Sequence, residues 1–424
     1  MNKKPYLIIR DDGFSQFYSP DNPYHIEKDD FLAQNVDYMT HYPTIRVKEY
    51  GVGPGSVFTY PTKIGDVLDE RRVTETTLDP WRCETARRVR DLVDRGEDPM
   101  AWVSERCHEL GIEMWVRFEL NHEYAPPTER NWAYAFLTGS FNKNHPEYRI
   151  PGKRINLDFR HPEVRAFKVE ILRECVRHNI EGVSLDFCVY PPFVENPAED
   201  HIYLTQFVRE VRAMLDEEEK ALGHPVKIIV RMPYDGENIG VHWREWVDAG
   251  LVQALIPSVV RIADRQDIDF TPFVEYCRGK NCDVICCVRP FFGTVSTDLI
   301  PGEPFDRQNR PVTPRIYCAK ALLALRQGAD GLQIALATGG LRDTRPLKPG
   351  TDLRRDGFEH IHGKLADPVF VEHADKEYVL AEANGLPAYL TAENPSVTLP
   401  FRIADKLDTI ARAEVRFRCR GLSE

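Results

Sequence analysis

The chain has 424 residues, 42% of them hydrophobic and 29% charged, which excludes a disordered, collagen-like or small disulfide-stapled protein. Its formal net charge of −11 argues against broad electrostatic binding to nucleic acid or to an anionic membrane surface. No apolar run approaches the roughly 18 residues that a membrane helix needs. We therefore expect a globular protein that binds a smaller molecule, with no nucleic-acid or membrane partner. The oligomeric state stays open.

The cysteines and the N-terminus bear on the compartment. Several of the ten cysteines lie inside apolar runs such as DVICCV at 283–288, a pattern typical of buried reduced thiols rather than of a disulfide framework. The first residues, MNKKPYLIIRDDG, contain neither the apolar segment nor the cleavage site of a signal peptide. We expect a cytoplasmic protein, unless a signal peptide has been removed from the chain.

Eight short apolar runs are predicted strands. Most are continuous in Val, Ile and Leu, as expected for strands of a parallel sheet that is covered on both faces. The runs are Tyr6–Arg10, Thr44–Lys48, Glu113–Phe118, Gly182–Phe187, Val226–Met232, Gln253–Val259, Asp283–Arg289 and Gly331–Leu336.

Helical patterns lie between these runs, and three of them have the same residue types at both ends. Each starts with a capping Asp or Thr followed by proline and ends before a glycine, as helix termini require. The three segments are Asp98-Pro99 to Gly111, Thr271-Pro272 to Gly279 and Thr313-Pro314 to Gly328.

Eight strands that alternate with helices predict an α/β fold, the (β/α)8 TIM barrel. The alternative is a doubly wound open sheet, which is disfavoured because no glycine-rich turn follows the first strand. We assign residues 1–366 to the barrel. Residues 367–424 are predicted to form a small β-rich C-terminal domain, since short β-like runs such as PVFVEH alternate there with Asn, Gly and Pro. Its small size and abrupt end leave open that it is incomplete.

Two connections, residues 49–81 and 119–161, are longer than ordinary barrel loops, and long loops usually carry function. They follow the second and third strands. Because the active sites of barrels lie at the C-terminal ends of the strands, we expect the functional site among the polar residues that follow strand ends.

Asp186 ends the fourth predicted strand in GVSLDF. A carboxylate in so apolar a setting costs free energy unless it is paired or used. We interpret Asp186 as a catalytic residue. The alternative is that it caps a helix or pairs with a neighbouring arginine.

Glu119, His122 and Glu123 follow the third strand in RFELNHE, and we interpret them as catalytic too. A carboxylate beside an imidazole supplies a general acid with a tuned pKa, which glycoside hydrolysis needs. The alternative is a polar loop whose side chains contact only water or one another. A metal site of His122, Glu123, Asp11 and Asp12 lacks any ligand-spacing pattern, so we expect no metal or other cofactor.

A further set of strand-end and loop residues is predicted to bind substrate. The arginines among them lie near one rim, and they would bind a carboxylated, sulfated or phosphorylated substrate unless they only neutralise the acids. The aspartates in the set could instead form an Asx turn before Gly13. The set is Asp11, Asp12, Arg117, Asn121, Tyr190, Arg231, Arg261 and Arg289.

Three regions of the predicted barrel contain sequence motifs that are similar to those of a known protein family. They are INLDFRHPEVRAFKVEILRECVRHNIEG at 155–182 with GVSLDF, RFELNHE with NHPEYRIPG at 144–152, and RMPYDGENIGVHWREWVDAGLVQALIPS at 231–258. They resemble the glycosyl-hydrolase-like TIM-barrel proteins, poorly characterised relatives of the glycoside hydrolases. The resemblance covers most of residues 1–366 and implies a carbohydrate-active barrel without naming a sugar. It puts weight on Arg117, His122 and Glu123, and it matches Asp186 and Arg231 to strand-end positions.

The sequence thus predicts a glycoside hydrolase-like enzyme that cleaves glycosidic bonds of a poly- or oligosaccharide with two carboxylates. Asp186 would be the nucleophile or charge stabiliser, and Glu123 or Glu119 the acid/base. An anionic glycan, sulfated or uronic, fits the arginines. The alternatives are a metal-dependent lyase, isomerase or hydrolase on the same rim, and a non-catalytic glycan-binding barrel.

Overall fold

The structure of the chain is a computed structural model. The residues that the structure describes are 4–11, 13–17, 25–69, 80–124, 137–260, 263–264, 266, 268–289, 291–293, 309–335, 361, 363–379, 396, 398 and 402–415.

The described strands form a closed barrel and two small sheets. They are β1 (Tyr6–Arg10), β2 (Ile45–Gly51), β3 (Val57–Phe58), β4 (Asp66–Val67), β5 (Glu113–Glu119), β6 (Gly182–Asp186), β7 (Lys227–Pro233), β8 (Ala254–Ser258), β9 (Ala263–Asp264), β10 (Asp283–Val288), β11 (Phe291–Gly293), β12 (Asn309–Pro311) and β13 (Gly331–Ala335). Strands β1, β2, β5, β6, β7, β8, β10 and β13 are parallel and close in that order. The predicted (β/α)8 barrel is therefore confirmed.

Helices connect the barrel strands. They are α1 (Lys28–Asn35), α2 (Pro80–Asp94), α3 (Pro99–Glu109), α4 (Ser140–Asn144), α5 (Pro162–Val176), α6 (Pro197–Leu222), α7 (Trp243–Asp248), α8 (Thr271–Cys277), α9 (Pro314–Arg326) and α10 (Pro368–His373), with 3-10 turns at Ser15–Phe17, Asp37–His41, Pro146–Tyr148, Gly236–Ile239 and Leu407–Thr409. Within the described ranges, none of the helices has the length and apolar character needed to cross a membrane.

All eight predicted barrel strands are present, seven of them with ends within one residue of the prediction. The exception is β2, which runs on to Gly51. It does so because Glu49, Tyr50 and Gly51 stay paired with β5. Glu49 consequently belongs to the barrel wall rather than to the following loop, and its side chain is fully buried.

The barrel interior changes character along its axis. Side chains two residues apart on a strand share a face, and on five strands an apolar interior residue is followed two positions later by a buried ionisable one. These pairs are Ile8 and Arg10, Val47 and Glu49, Trp115 and Arg117, Ile229 and Arg231, and Cys287 and Arg289. The N-terminal part of the interior is therefore an apolar core, and the C-terminal part is a buried layer of charge.

Two of the three predicted helix starts are confirmed in detail. Asp98 caps α3 by accepting hydrogen bonds from the Met100 and Ala101 amides at 3.0 and 3.2 Å, and Thr313 caps α9. Helix α8 begins at Thr271 itself rather than after it. The reason is that Asp269 accepts a hydrogen bond from the Thr271 amide at 3.1 Å.

The C-terminal segment PVFVEH, predicted as a β-like run, is helix α10; that prediction was wrong. Asp367 caps this helix by accepting from the Val369 amide at 2.9 Å, and Pro368 occupies its first turn. The capping aspartate and the proline outweigh the β propensity of the two valines. The other predicted β-like runs lie largely outside the described residues, and the boundary at 366/367 stays a prediction.

Gly182 at the start of β6 allows the apolar half of the barrel to pack. A Cβ there would lie 2.7 Å from Trp115 Cδ1 and 2.8 Å from Ile229 Cδ1. We expect Gly182→Ala to lower the free energy of unfolding by about 1–3 kcal/mol, as overpacked cores do. Urea denaturation monitored by tryptophan fluorescence measures this.

Gly236→Ala is the matched control, because its nearest added contact, to Val241 Cβ, is an ordinary 3.4 Å. We expect a change within about 0.5 kcal/mol. Equal effects of the two substitutions would contradict the packing argument.

Candidate active site

The strand ends bring carboxylates and arginines together inside the barrel. Glu119 of β5 and Asp186 of β6 are register partners, and Asp186 is in turn the partner of Arg231 on β7. Arg10 on β1 is the partner of Glu49 on β2. Because parallel strands lie about 4.8 Å apart, these ionisable groups form one continuous layer.

Asp186 is fully buried and is held by three arginines. Arg231 Nη1 donates to both of its carboxylate oxygens at 2.8 and 2.9 Å, and Arg10 Nη2 donates at 3.3 Å. Arg117 Nη1 lies 3.7 Å away, and the Cys188 amide donates at 2.9 Å. Burial alone would raise the pKa of Asp186, but the arginines outweigh it and lower the pKa to about 2. Asp186 is therefore a permanent anion at neutral pH.

The arginines do not share this carboxylate equally. Burial would lower the pKa of Arg231, but Asp186 raises it, and Arg231 also donates to Ser258 Oγ at 2.9 Å. Burial and the repulsion of Arg10 lower the pKa of Arg117 to about 10. Burial, Arg231 and Arg10 lower the pKa of Arg289 to about 9. Among the described groups, nearby negative charge therefore stabilises the guanidinium of Arg231 more than it stabilises those of Arg117 and Arg289.

Glu119 links this buried layer to the solvent. One of its oxygens accepts from Arg117 Nη1 and the other hydrogen-bonds His122 Nδ1. His122 Nε2 lies 3.0 Å from the Tyr124 hydroxyl, and the ring lies 5.0 Å from the ring of Tyr190. Side-chain exposure falls from 18% at His122 to 10% at Glu119 and to zero at Asp186. A proton from the mouth can thus reach Glu119 through the imidazole.

Glu119 and Asp186 lie close enough for a glycosidase pair. The same atom, Arg10 Nη2, is 3.8 Å from Glu119 Oε1 and 3.3 Å from Asp186 Oδ2. Those two oxygens are consequently no more than about 7 Å apart, and the carboxyl groups of retaining and inverting glycosidases are about 5–5.5 Å and about 6.5–9.5 Å apart.

Tyr190, a predicted substrate-binding residue, has a backbone φ of 48°. Residues other than glycine rarely adopt this left-handed conformation, and a strained residue of this kind is found most often at functional sites. The Asn156 side chain holds the conformation by donating to the Tyr190 carbonyl at 2.7 Å. The half-buried Tyr190 ring therefore lies beside His122 at the rim.

Glu49 is a site residue that the sequence analysis did not select. Burial raises its pKa, and the opposing effect of Arg10 does not cancel this. Gln333 donates to Glu49 Oε2 at 2.7 Å, and Arg10 Nε lies 3.7 Å from the same oxygen. Glu49 and Asp186 thus have pKa values shifted in opposite directions inside one layer, as in acid/base pairs. The sequence did contain an indication of this: Glu49 lies two positions after Val47, and residues two apart on a strand face the same side.

Glu123 occupies a different place from Glu119. Lys168 of α5 donates to Glu123 Oε1 at 2.8 Å, and Ser56 Oγ donates to Oε2 at 3.0 Å. Both members of the ion pair are fully buried. Glu123 therefore joins the loop after β2, the loop after β5 and helix α5, and none of its described contacts is with Asp186.

Asp11 and Asn121, two further residues predicted to bind substrate, also hydrogen-bond to the protein itself. Asp11 Oδ1 accepts from the Gly13 and Gly51 amides at 3.0 and 2.8 Å, and Oδ2 lies 3.0 Å from Lys48 Nζ. This is the Asx turn weighed above. Asn121 donates to the Leu157 and Pro192 carbonyls at 3.0 and 3.1 Å.

Asp12 and Arg261 lie outside the described residues. The proposed metal ligands His122, Glu123 and Asp11 have the separate partners given above. Among the residues that the structure covers, no group of three or more His, Cys, Asp or Glu side chains is arranged to hold a metal ion.

No model of a known protein family matches the sequence, and no curated protein matches it. Among solved structures, the chain is similar to a GH27 β-L-arabinopyranosidase from Geobacillus stearothermophilus, at 10% identity over 87% of this chain and 77% of that one, with a TM-score of 0.44. It is similar to a maltogenic α-amylase from Thermotoga neapolitana, at 12% identity over 88% and 78%, with a TM-score of 0.44. Tryptophan synthase from M. tuberculosis is similar at 11% identity over 87% and 93%, with a TM-score of 0.38.

An arabinopyranosidase, an amylase and a tryptophan synthase therefore all resemble this chain. At such identities and TM-scores the likeness carries no argument about substrate or reaction. The closed parallel barrel itself shows the architecture, which is a (β/α)8 TIM barrel.

Asp186→Asn would leave Arg231 buried without its carboxylate. We expect the free energy of unfolding at neutral pH to fall by about 3–5 kcal/mol. The folded pKa of about 2 lies below the ordinary 3.8, so about 2 kcal/mol of this contribution depends on the charge of Asp186. That part is present above a pH of about 4 and is lost as the pH falls toward about 2. Denaturant midpoints of wild type and variant should therefore converge across that interval.

Asp216→Asn is the control, because its ion pair with Arg212 lies on an exposed aspartate and is worth less than about 1 kcal/mol. A stability difference for Asp186→Asn that does not change with pH would contradict the assignment of its charge.

Proposed function

We propose that the protein is a glycoside hydrolase-like enzyme that cleaves a glycosidic bond of an oligo- or polysaccharide. The observation that carries the proposal is the pairing of Glu119 and Asp186 on neighbouring strand ends, no more than about 7 Å apart at the oxygens that contact Arg10. Only Glu119 of the two connects to the mouth, through His122.

The two carboxylates then have different tasks. Glu119 donates a proton to the glycosidic oxygen as the bond breaks and then takes a proton from the water that adds to the sugar carbon, with His122 relaying protons between Glu119 and solvent. Asp186 keeps its charge in every state and stabilises the positive charge that develops on the sugar ring. Its complete burial and the four hydrogen bonds that it accepts from Arg231, Arg10 and the Cys188 amide favour this electrostatic role over nucleophilic attack.

The arginines favour an anionic glycan. A sugar ring that gains positive charge beside Arg10, Arg117 and Arg289 is repelled by them, which opposes catalysis on a neutral substrate. A carboxylate or sulfate on the substrate reverses the sign of this interaction. Uronic and sulfated glycans are therefore the substrates of choice, with Tyr190 positioned to stack on a sugar face.

A non-catalytic glycan-binding barrel is the second candidate. The observation in its favour is that every oxygen of Asp186 already has a protein donor. A purely binding protein would use these arginines to hold an anionic chain and would release no product.

Glu119→Gln tests the catalytic role. Removal of a general acid/base costs about 10²–10⁴-fold in rate, so we expect the release of reducing ends from uronic or sulfated oligosaccharides to fall by at least about 100-fold. The substrates are first identified by screening the wild type against a panel of such glycans, with reducing ends measured over time.

Glu123→Gln is the matched control, since the same change is made in the same loop. It removes a partner of Lys168 and should lower the free energy of unfolding while the folded protein keeps its turnover. Binding without any reducing ends would identify the non-catalytic barrel. An ultraviolet-absorbing unsaturated uronate among the products would instead identify β-elimination and overturn the hydrolase proposal.

Arg289→Met tests the anionic substrate class. Loss of one charge-assisted contact costs about 1.5–3 kcal/mol, so KM for an anionic glycan should rise about 10- to 100-fold, with little change for a neutral analogue. The wild-type KM should also rise with salt. An equal effect on charged and neutral glycans would show that Arg289 has only a packing role.

A further inference from the structure

Two buried asparagines connect the chain after β5 with the loop after β6. Asn121 lies two residues beyond the end of β5 and is fully buried. Its Oδ1 accepts from the Leu157 amide at 3.2 Å, and its Nδ2 donates to the Leu157 carbonyl at 3.0 Å and to the Pro192 carbonyl at 3.1 Å. Asn121 therefore fixes two separate stretches of chain relative to the strand end that carries Glu119.

Asn156, also buried, holds the loop after β6 at two points. Its Nδ2 donates to the Tyr190 carbonyl at 2.7 Å and to the Pro192 carbonyl at 3.1 Å. An asparagine amide can face two carbonyls only with its NH2 end, which has two hydrogens to donate. Both donors of Asn156 are therefore used by the protein, and the two asparagines meet at the Pro192 carbonyl.

The sequence of the loop makes it depend on these donors. Pro191 and Pro192 have no backbone N–H, so their main chain can hydrogen-bond to neighbouring segments only through carbonyl oxygens. Tyr190, just before them, has the left-handed φ of 48°, which a residue with a side chain keeps only when its surroundings enforce it. The Tyr190 ring lies 5.0 Å from the ring of His122, the residue next to Asn121. One hydrogen-bond network therefore sets the position of both rings.

We propose that Asn156 is a positioning residue of the carbohydrate site: together with Asn121 it holds the Tyr190 ring beside His122, where a sugar ring of the substrate stacks on it. The inference rests on the proposed function. Binding a sugar against an aromatic ring costs less when the ring is already held in its bound position, because nothing has to be ordered on binding. Loss of the Asn156 side chain should therefore weaken substrate binding, although its donors contact only backbone carbonyls.

The position of the Tyr190 ring can be measured without any glycan, because an aromatic ring shifts the NMR signals of nearby protons. The full-length protein is labelled with 13C in histidine, and the His122 ring signal is assigned from its loss in His122→Gln. Tyr190→Leu should shift this signal by removing the neighbouring ring. We expect Asn156→Ala to shift it in the same direction, and the double variant to show only the shift of Tyr190→Leu.

Two further variants make this measurement specific. Asn156→Asp keeps the size of the side chain but cannot donate to the carbonyls, so it should shift the signal as Asn156→Ala does. Asn35→Ala is the matched control, because Asn35 is equally buried and also donates to two backbone carbonyls, those of Gln16 and Phe31 at 3.2 and 2.8 Å. It should leave the His122 signal in place.

Steady-state kinetics on the cleaved glycan test the effect on substrate. We expect Asn156→Ala to raise KM roughly 3- to 10-fold, which corresponds to the loss of one aromatic stacking contact, and to change kcat by a smaller factor. Tyr190→Leu should raise KM by a similar factor and the double variant no further, since both substitutions remove the same contact. Asn35→Ala should leave KM unchanged.

The outcomes separate this inference from the proposed function. If Asn156→Ala moves the His122 signal no more than Asn35→Ala does, Asn156 does not position Tyr190 and the inference is wrong. It is also wrong if the signal moves but KM does not, because the network then has only a structural role. If the wild type binds glycans without cleaving them, the proposed function fails, and Kd replaces KM in the same comparison.

Discussion

The charged layer at the C-terminal end of the barrel depends on the contact between Asp186 and Arg231. Removing two full charges from water costs several kcal/mol each, and only close pairing offsets this. The donation of Arg231 Nη1 to both oxygens of Asp186 does so for Arg231, and the same carboxylate also faces Arg10 and Arg117. Without Asp186 the interior would hold guanidinium groups that repel one another, with Glu49 and Glu119 left as described carboxylate partners of Arg10 and Arg117.

The need to pair the buried arginines gives the acidic residues different roles according to how deeply they lie in the barrel. Asp186 is held so firmly that it contributes a fixed field, whereas Glu119 shares its carboxylate between Arg117 below and His122 above. The outermost residues, His122 and Tyr190, carry the remaining exposed surface. A chemical step at this mouth would therefore combine a rigid anion inside with a titratable group outside, the combination that electrostatic preorganisation requires.

The fold could be predicted from the sequence because most barrel strands are nearly continuous apolar runs and because helices α3 and α9 begin at the capping residues expected for them, features that act within a few residues. The candidate site was located from strand ends. Which of Glu119 and Glu123 lies beside Asp186 could not be predicted, because the partner of Glu123 is Lys168, 45 residues away on a helix. Burial and long-range partners also decide the protonation of Glu49. At PVFVEH the valines suggested a strand, although Asp367-Pro368 matched the helix-start pattern that succeeded elsewhere.

The buried contact of Glu123 with Lys168 and Ser56 has a consequence for how this barrel can change. It ties the long loops after β2 and β5 to each other and to α5, and Ser140 reinforces the link by hydrogen bonds to Asp66. The two loops can consequently be replaced only as a pair. Grafting one of them from another barrel would strand a lysine in the interior, so new specificities at this mouth must arise by replacing both loops together or by substitutions that spare their shared carboxylate.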